Sequence, residues 1–251
     1  MIPARPEESQ ASMTSKGRIL IVEDEPKIIQ LLREVLIPAG FEVSAVLNGE
    51  HAIERVALDK PDLVLLDIRL PGSIDGYGVS RRLREFSEIP IIMLTGKAKE
   101  GDMVQGFEVG ADDYITKPFN SRELLMRIGA VLRRTQHGSL IAANESEIVC
   151  DALRIDLARR RVTVQGREVH LTPTEYNLLH ELAVHNNQVM LHEQLLTAVW
   201  GAEYLNDVDY LRAYIHTLRQ KIEVDPNNPR IIQRCPGVGY ILVCNQDVNC
   251  E

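Results

Sequence analysis

Five short apolar runs, separated by five amphipathic segments with helical periodicity, fill the first 134 residues and constrain the fold more than any other feature. Near-continuous apolar strands that alternate with helices are typical of a parallel β-sheet covered on both faces. The sequence therefore predicts a five-stranded, doubly wound parallel sheet of the α/β class. The predicted strands are Arg18–Val22, Phe41–Val46, Leu63–Leu66, Pro90–Leu94 and Tyr114–Thr116, and the predicted helices lie near 26–38, 49–59, 76–86, 98–109 and 121–134.

The pattern changes after Arg134. The following residues are polar and without clear periodicity, which is typical of a linker. Beyond them, short strands with a Gln165-Gly166 hairpin turn, three helices and a final strand pair predict an α+β domain. The predicted organisation is a loose tail over 1–16, an α/β domain over 17–134, a linker over 135–147, a second domain over 148–245 and a tail over 246–251.

Charge and hydropathy restrict the classes of function. The formal net charge of −8 argues against a protein that coats nucleic acid through bulk charge, so any DNA contact needs a local basic surface. No stretch approaches the roughly 20 apolar residues that a membrane span requires, and the N-terminus lacks the apolar run of a secretion signal. We therefore expect a cytoplasmic protein without membrane contact.

The four cysteines suggest no metal site. Cys150, Cys235, Cys244 and Cys250 form no C-x-x-C pair and have no histidines at the spacing of a zinc site. Because cytoplasmic thiols are usually kept reduced, we expect free thiols without a chemical role.

Polar side chains stand at the carboxyl ends of four predicted strands. Glu23 and Asp24 follow the first strand, Asp67 the third, Thr95 the fourth and Lys117 the fifth. In a parallel sheet these ends converge on one crevice. Each residue alone has an ordinary alternative, as a helix cap, a surface charge or a strand former, but their coincidence at four ends favours a site.

This crevice would hold three carboxylates, a hydroxyl and an ammonium group. Clustered carboxylates repel each other unless a cation joins them, and Mg²⁺ is the usual ion where phosphate is handled. Asp67 is then predicted to be an oxygen nucleophile toward phosphorus, and Thr95 and Lys117 are predicted to bind the phosphoryl oxygens.

The segments that carry these residues resemble the receiver domain of response regulators, and with the second half the resemblance extends over nearly the whole chain and matches the OmpR/PhoB class. It implies that a sensor histidine kinase donates a phosphoryl group to Asp67. It further implies a Lys117-Pro118 bond that is often cis, and Mg²⁺ held by Glu23, Asp24, Asp67 and the backbone carbonyl of Arg69. The matching segments are Ile19–Glu25, Leu65–Pro71, Leu94-Thr95 and Gly110–Phe119.

The resemblance also implies a conformational switch. On phosphorylation Thr95 moves toward the phosphoryl group and Tyr114 turns inward, which alters the surface of the fourth helix, fifth strand and fifth helix. The class uses this surface to form a homodimer, and Asp113 and Arg127 match positions that pair across it. Met103 stands where many relatives have Arg, so a smaller ionic network is expected.

One loop departs from the family pattern. Asp75-Gly76 begins eight residues after Asp67, one residue later than in the family. The extra residue is expected to alter the contact of the loop with a kinase.

The last predicted helix, Val208–Glu223, has an apolar stripe of Leu211, Ile215, Leu218 and Ile222. Arg and Thr side chains off this stripe could read guanine and thymine in a major groove. The strands, three helices and terminal hairpin resemble the OmpR-type winged helix, and the segment Gly201–Asp207 is the loop that meets RNA polymerase in relatives. The predicted DNA contacts are Arg212, His216, Thr217, Arg219, Lys221, Arg230 and Arg234, with Arg219 facing away from the core and Lys221 on phosphate.

The predicted function is a phosphorylation-controlled DNA-binding transcriptional regulator that binds double-stranded DNA with repeated half-sites. It is not an enzyme beyond slow self-catalysed phosphotransfer and dephosphorylation. A haloacid-dehalogenase-type phosphatase would carry Asp two residues after its nucleophile, where this chain has Arg69. A phosphorylation-independent regulator that uses its receiver only to dimerise stays open as the alternative. Residues 210–215 and 218–221 resemble Kdp-type potassium-transport regulators more than the phosphate or porin branches.

Overall fold

A computed structural model describes residues 15–96, 105–136, 147–150 and 152–244. The first half holds five parallel strands in the order β2-β1-β3-β4-β5, which confirms the predicted doubly wound sheet. The elements are β1 Arg18–Val22, α1 Pro26–Leu36, β2 Glu42–Val46, α2 Gly49–Asp59, β3 Leu63–Asp67, α3 Gly76–Arg84, β4 Ile91–Thr95, α4 (described for residues 105–108), β5 Asp113–Thr116 and α5 Ser121–Gln136.

Apolar side chains cover both faces of the central strands. In β1, Ile21 packs into one buried cluster with Leu32 of α1 and Leu124 of α5. Its neighbour Leu20 packs into a second cluster that includes Val79 of α3. Successive strand residues point to opposite faces, so this alternation buries the sheet between two layers of helices. This burial of both faces is the physical reason why the strands are nearly continuous apolar runs in the sequence.

The second half contains two antiparallel sheets around three helices. Its elements are β6 Glu147–Cys150, β7 Leu153–Asp156, β8 Arg161–Val164, β9 Arg167–Val169, α6 Pro173–Val184, β10 Met190–Leu191, α7 His192–Val199, α8 Val208–Ile222, β11 Ile232–Cys235 and β12 Gly239–Leu242. The strands β6 to β9 form one sheet, and β10, β12 and β11 form the other in that order. The predicted α+β winged-helix fold is confirmed.

Local signals explain several boundaries. Thr172 caps α6 by accepting the backbone N–H of Glu175, whose carboxylate accepts the backbone N–H of Thr172 in return. Asp75 caps α3 by accepting the backbone N–H of Gly78 at 2.8 Å.

Two details of the second domain differ from the sequence prediction. The apolar pattern from Ile148 to Asp156 predicts a single strand, but these residues form a hairpin, in which Cys150 of β6 pairs with Leu153 of β7. The strand β10 was not predicted, because its two residues are too few to show a period of two. Both differences concern short strands that pair only through tertiary context.

The expectation of free thiols is wrong in this structure. A disulfide joins Cys150 at the end of β6 to Cys244 just after β12, and Cys235 is also disulfide-bonded. Cys150 and Cys244 are 94 positions apart in the sequence, yet their Cα atoms lie 4.2 Å apart. Only the folded arrangement of β6 and β12 brings them together, so sequence spacing could not reveal the pair.

Several predictions fall outside the described residues, namely both tails, most of the linker and Met103. The predicted domain boundaries stay predictions. Among the described helices, none combines the length and the hydropathy that crossing a membrane requires.

Candidate functional sites

Three carboxylates meet at the carboxyl ends of β1 and β3. The side chains of Glu23, Asp24 and Asp67 each offer an oxygen that lies within 4.8 Å of the others. Glu23 and Asp67 are buried, whereas Asp24 is exposed. The two strands are adjacent and parallel, so their ends necessarily converge. The structure thus brings together the acidic residues that the sequence predicted.

Lys117 reaches into the same crevice from the end of β5. Its ammonium donates to Glu23 at 2.5 Å and lies 3.0 Å from an Asp67 carboxylate oxygen. The Lys117-Pro118 peptide bond is cis, as the resemblance implied. The backbone N–H of Lys117 also donates to the carbonyl of Thr95, which ties the ends of β5 and β4 together.

Burial sets the charge balance of this crevice. It raises the pKa of the Asp67 and Glu23 carboxyl groups, although the hydrogen bonds from Lys117 act in the opposite direction. Burial also opposes the charged form of Lys117, but its hydrogen bonds to Glu23 and Asp67 outweigh burial, so the pKa of Lys117 is raised. Three carboxylates against one ammonium leave a local excess of negative charge. A set of hard oxygen donors of this kind fits Mg²⁺.

Thr95 and Tyr114 lie beside the crevice. Thr95 is a buried residue at the end of β4, one position after Leu94, which is the register partner of Asp67. Tyr114 is buried in β5. An added Cβ on Gly106 would lie 3.1 Å from that ring, so the ring packs closely against α4.

The loop after Asp67 is held at both ends despite its extra residue. The backbone N–H of Gly76 donates to the carbonyl of Ile68, and a Cβ on Gly76 would lie 2.3 Å from the carbonyl oxygen of Asp67. In the middle of the loop, the Ser73 hydroxyl donates to the Glu50 carboxylate at 2.6 Å. Backbone hydrogen bonds from Ile68 and Arg69 to the Asp67 carboxylate partly offset the rise in its pKa that burial causes, and they place the Arg69 peptide next to the crevice.

Helix α8 buries the predicted stripe of Leu211, Ile215, Leu218 and Ile222. Arg212 and His216 are exposed, and Arg212 pairs with Asp209 at 2.8 Å. These two predicted DNA contacts therefore lie on an accessible part of the helix.

Three other predicted DNA contacts on α8 are engaged inside the protein. The Arg219 guanidinium donates to the carbonyl of Ile232 at 3.1 and 2.7 Å, so the expectation that it faces away from the core is wrong. Lys221 pairs at 2.6 Å with Glu175, and Thr217 is buried and donates to a backbone carbonyl. The apolar stripe of α8 could not reveal these internal contacts, because β11 and α6 approach the helix from its sides.

The terminal hairpin presents the remaining two predicted DNA contacts. Arg230 precedes β11 and Arg234 lies in it, and both are exposed. The Glu223 carboxylate accepts three backbone N–H groups at 2.8 to 2.9 Å, from Arg230, Ile231 and Ile232. Glu223 thus fixes the hairpin to the end of α8, a role that its position in the sequence did not signal.

The structure also reveals a contact that the sequence reading missed, between α8 and the α/β domain. The hydroxyl of Tyr210 donates to the carbonyl of Tyr114 at 2.9 Å, and the hydroxyl of Tyr214 donates to the carbonyl of Ala111 at 3.0 Å. Tyr210 and Tyr214 are four residues apart and lie off the apolar stripe. An aromatic pair at this spacing could have signalled a second covered face.

Asp113 and Arg127 meet within one chain. They form an ion pair at 3.1 Å, and the Tyr204 hydroxyl donates to the same carboxylate. Burial opposes the charge of Arg127, but the charge of Asp113 and the neighbouring Tyr210 outweigh burial, so the pKa of Arg127 is raised.

An acidic crevice with Thr and Lys at strand ends, followed by a winged-helix domain, defines a response regulator with a DNA-binding output. Two family models match accordingly. "Response regulator receiver domain" matches residues 19–129, and "Transcriptional regulatory protein, C terminal" matches residues 166–242.

The chain belongs to the OmpR/PhoB class of response regulators. It is 32% identical to DrrB, a Thermotoga maritima OmpR/PhoB homologue, over 90% of this chain and 98% of that one, with a TM-score of 0.48. A cysteine mutant of RitR is 29% identical over 90% of this chain and 98% of that one, with a TM-score of 0.72. The BeF3-activated receiver domain of Klebsiella pneumoniae RstA is 39% identical over 46% of this chain and 98% of that one, with a TM-score of 0.45.

This membership makes the protein a two-component, DNA-binding transcriptional regulator with a histidine kinase as partner, and it has the architecture of a transcription factor rather than of a classical enzyme. Receiver domains bind Mg²⁺ at an acidic site, and the cluster of Glu23, Asp24 and Asp67 is compatible with that ion. The Kdp-type subgroup stays a prediction.

Proposed function

We propose that phosphorylation of Asp67 by a sensor histidine kinase controls the DNA binding of this protein. The observation that carries the proposal is the crevice itself, where Lys117 lies within hydrogen-bond distance of Asp67 and Glu23 beside a cluster of three carboxylates. Such an arrangement can hold a nucleophilic carboxylate next to the cations that phosphoryl transfer requires.

The transfer uses residues that are already in place. An Asp67 oxygen attacks the phosphorus of a phosphohistidine, the P–N bond breaks, and the imidazole leaves as an aspartyl phosphate forms. Lys117 and Thr95 then bind phosphoryl oxygens. Glu23, Asp24, Asp67 and the backbone carbonyl of Arg69 would hold Mg²⁺, which supplies positive charge next to those oxygens when bound.

The negative charge of the phosphoryl group changes the charge balance among the side chains of the crevice. Lys117, now shared between Glu23 and Asp67, is drawn toward the phosphoryl group. Thr95 moves toward the same group, and Tyr114 responds as the switch residue. The phosphorylated receiver forms a homodimer through α4, β5 and α5, with Asp113 and Arg127 at the interface.

At the DNA, the exposed side chains of Arg212, His216, Arg230 and Arg234 make the first contacts. Thr217, Arg219 and Lys221 reach DNA only if their internal contacts break. Two joined reading heads favour double-stranded DNA with repeated half-sites, because the second head binds at a high effective concentration. The segment Gly201–Asp207 is the proposed contact to RNA polymerase.

The test is phosphorylation with acetyl phosphate and Mg²⁺, followed by intact-protein mass measurement and a DNA titration. The wild-type protein should gain one phosphoryl group and bind a two-site fragment far more tightly, whereas Asp67→Asn should do neither. Uptake without a change in DNA affinity would favour the phosphorylation-independent alternative.

A further inference from the structure

We propose that Glu50 of α2 is a positioning residue of the phosphorylation site, because it clamps the β3–α3 loop in the shape that presents the Arg69 carbonyl to Mg²⁺. The β3–α3 loop comprises residues 68–75 and is one residue longer than in the family pattern. The inference deepens the proposed function and rests on it, since this loop carries one of the proposed ligands of the metal ion.

The Glu50 carboxylate holds the middle of the β3–α3 loop through two donors of a single residue. The hydroxyl of Ser73 donates to a Glu50 oxygen at 2.6 Å, and the backbone N–H of Ser73 donates to the same oxygen at 3.2 Å. The Ser73 hydroxyl lowers the pKa of the exposed Glu50 carboxyl group most, and backbone hydrogen bonds lower it further. Glu50 is therefore ionised at neutral pH and keeps its full capacity as an acceptor.

The residue before Ser73 allows this close approach. Gly72 has a φ of +112°, which lies in the left-handed region that favours glycine. A Cβ on Gly72 would lie 3.1 Å from one Glu50 oxygen and 3.3 Å from the other. A side chain at this position would therefore press against the carboxylate, so Gly72 and Ser73 together fit the loop to Glu50.

The backbone that carries Glu50 is itself fixed. Asn48 caps α2 with its side chain, which accepts a backbone N–H of the first helical turn at 3.0 Å. A Cβ on Gly49 would lie 2.6 Å from the side chain of Val79 in α3 and 3.0 Å from the carbonyl oxygen of Ile74. The first turn of α2 thus packs directly on the end of the loop and on α3, and it gives the carboxylate a rigid support.

The clamp lies between the two fixed ends of the β3–α3 loop. At the first end, the backbone N–H groups of Ile68 and Arg69 donate to the Asp67 carboxylate. At the second end, the N–H of Gly76 donates to the carbonyl of Ile68 at 2.9 Å. Ser73 is only four positions after Arg69, so a displacement of Ser73 is transmitted to the Arg69 peptide through a short length of chain.

The ion that the crevice fits is sensitive to such a displacement. Mg²⁺ requires nearly ideal octahedral geometry and short distances to its oxygen ligands. A clamped loop offers its carbonyl in a fixed position before the ion arrives. Without the clamp, the ion would have to order the loop when it binds, and that entropic cost would lower its affinity.

The experiment measures the Mg²⁺ affinity of the unphosphorylated full-length protein by isothermal titration calorimetry. Ser73→Ala removes the hydroxyl donor without a change of charge, and Glu50→Ala removes the acceptor. Ser73→Thr keeps the hydroxyl and is the conservative variant. Glu54→Ala is the matched control, because it removes an exposed carboxylate one turn further along the same helix. This control accounts for the loss of one negative charge near the cation.

Ser73→Ala and Glu50→Ala should each weaken Mg²⁺ binding about fivefold, because an exposed hydrogen bond favours the clamped loop by a factor of that order. The double variant should bind no more weakly than Glu50→Ala, since both changes remove the same contact. Ser73→Thr and Glu54→Ala should stay within about twofold of wild type. Wild-type affinity in Ser73→Ala, equal weakening in Glu54→Ala, or additive losses in the double variant overturns the proposal.

Hydrogen exchange of the metal-free protein tests the clamp without the ion. The amides of residues 68–75 should exchange faster in Ser73→Ala and Glu50→Ala, while those of β1 and β3 keep their wild-type protection. Faster exchange throughout the receiver would reveal a general loss of stability and would overturn the positioning role. At saturating Mg²⁺, both variants should take up phosphoryl groups from acetyl phosphate at the wild-type rate, because the ion then orders the loop. A rate that stays low at saturation contradicts the proposal.

The inference and the proposed function fail in different ways. If the wild-type protein binds no Mg²⁺ and takes up no phosphoryl group, the assignment of the crevice falls, and the role of Glu50 falls with it. If the wild-type protein binds Mg²⁺ and Asp24→Ala does not, while the variants of Glu50 and Ser73 bind as wild type, only the role of Glu50 falls.

Discussion

Asp113 and Arg127 form an ion pair at 3.1 Å inside a single chain, with the Asp113 side chain fully buried and the Arg127 side chain 15% exposed. The resemblance to relatives predicted instead that these positions meet across a dimer. Both arrangements use the same two charges, so a pair within one chain and a pair across a dimer compete for them. Its removal should therefore affect stability and assembly together.

Arg127→Ala is expected to lower the free energy of unfolding by about 3 kcal/mol, because it leaves the Asp113 carboxylate buried without its ion partner. The phosphorylated variant should also stay monomeric. Urea unfolding and sedimentation velocity measure the two effects. Arg122→Ala, an exposed change on the same helix, should alter neither. A phosphorylated Arg127→Ala protein that dimerises normally would remove this residue from the interface.

Much of the site could be predicted because parallel strands place their carboxyl ends together. Glu23, Asp67 and Lys117 are far apart in the sequence, but once the strands are assigned, their convergence follows from topology. The cap of α6 at Thr172 was likewise readable, since capping depends on residues within one turn. The cap depends only on neighbouring residues, and the convergence of the strand ends depends only on the parallel topology of the sheet.

The features that were not predicted depend on contacts between segments that are distant in the sequence. Nothing in the spacing of Tyr204, Tyr210 and Tyr214 shows which acceptors they meet, because those acceptors belong to another domain. Arg219 lies off the apolar stripe and was expected to face outward, but the carbonyl of Ile232 approaches it from β11. Helical periodicity describes one covered face of a helix, whereas α8 has several.

We expect the carboxylates of the acidic crevice to be required for phosphorylation but not for folding. Asp24→Ala should lose Mg²⁺-dependent uptake of phosphoryl groups from acetyl phosphate while the fold survives. The metal-free protein should be at least as stable as wild type, because removing one of three carboxylates relieves repulsion. Glu25→Ala removes the neighbouring exposed carboxylate, which is not in the cluster, and should behave as wild type. Uptake by Asp24→Ala at the wild-type rate would show that the crevice is wrongly assigned.

Substitution of two arginines of α8 should have different effects, one on DNA affinity and the other on stability. Arg212 is exposed, and its replacement by Ala should weaken DNA binding by roughly 1 to 3 kcal/mol if it reads a base edge, with little change in stability. Arg219→Ala should instead lower stability by about 1 to 3 kcal/mol, since the Ile232 carbonyl loses two charged donors. Anisotropy titrations on matched and mismatched half-sites and urea unfolding test both. The opposite assignment of effects would place Arg219 at the DNA.

The disulfide between Cys150 and Cys244 predicts that the second domain is sensitive to reductants. It closes a loop with a sequence separation of 94, and removing a link of this kind typically costs about 2 to 4 kcal/mol because the unfolded chain becomes freer. Cys150→Ala/Cys244→Ala should therefore unfold at lower urea than the oxidised wild type. The receiver should be unaffected, so the variant should take up phosphoryl groups normally. Because Cys235 is also disulfide-bonded, the double variant is more specific than a reductant, which would break both links. Alkylation of the native protein followed by mass spectrometry tests the pairing directly, and rapid modification of Cys150 and Cys244 without reductant would contradict it.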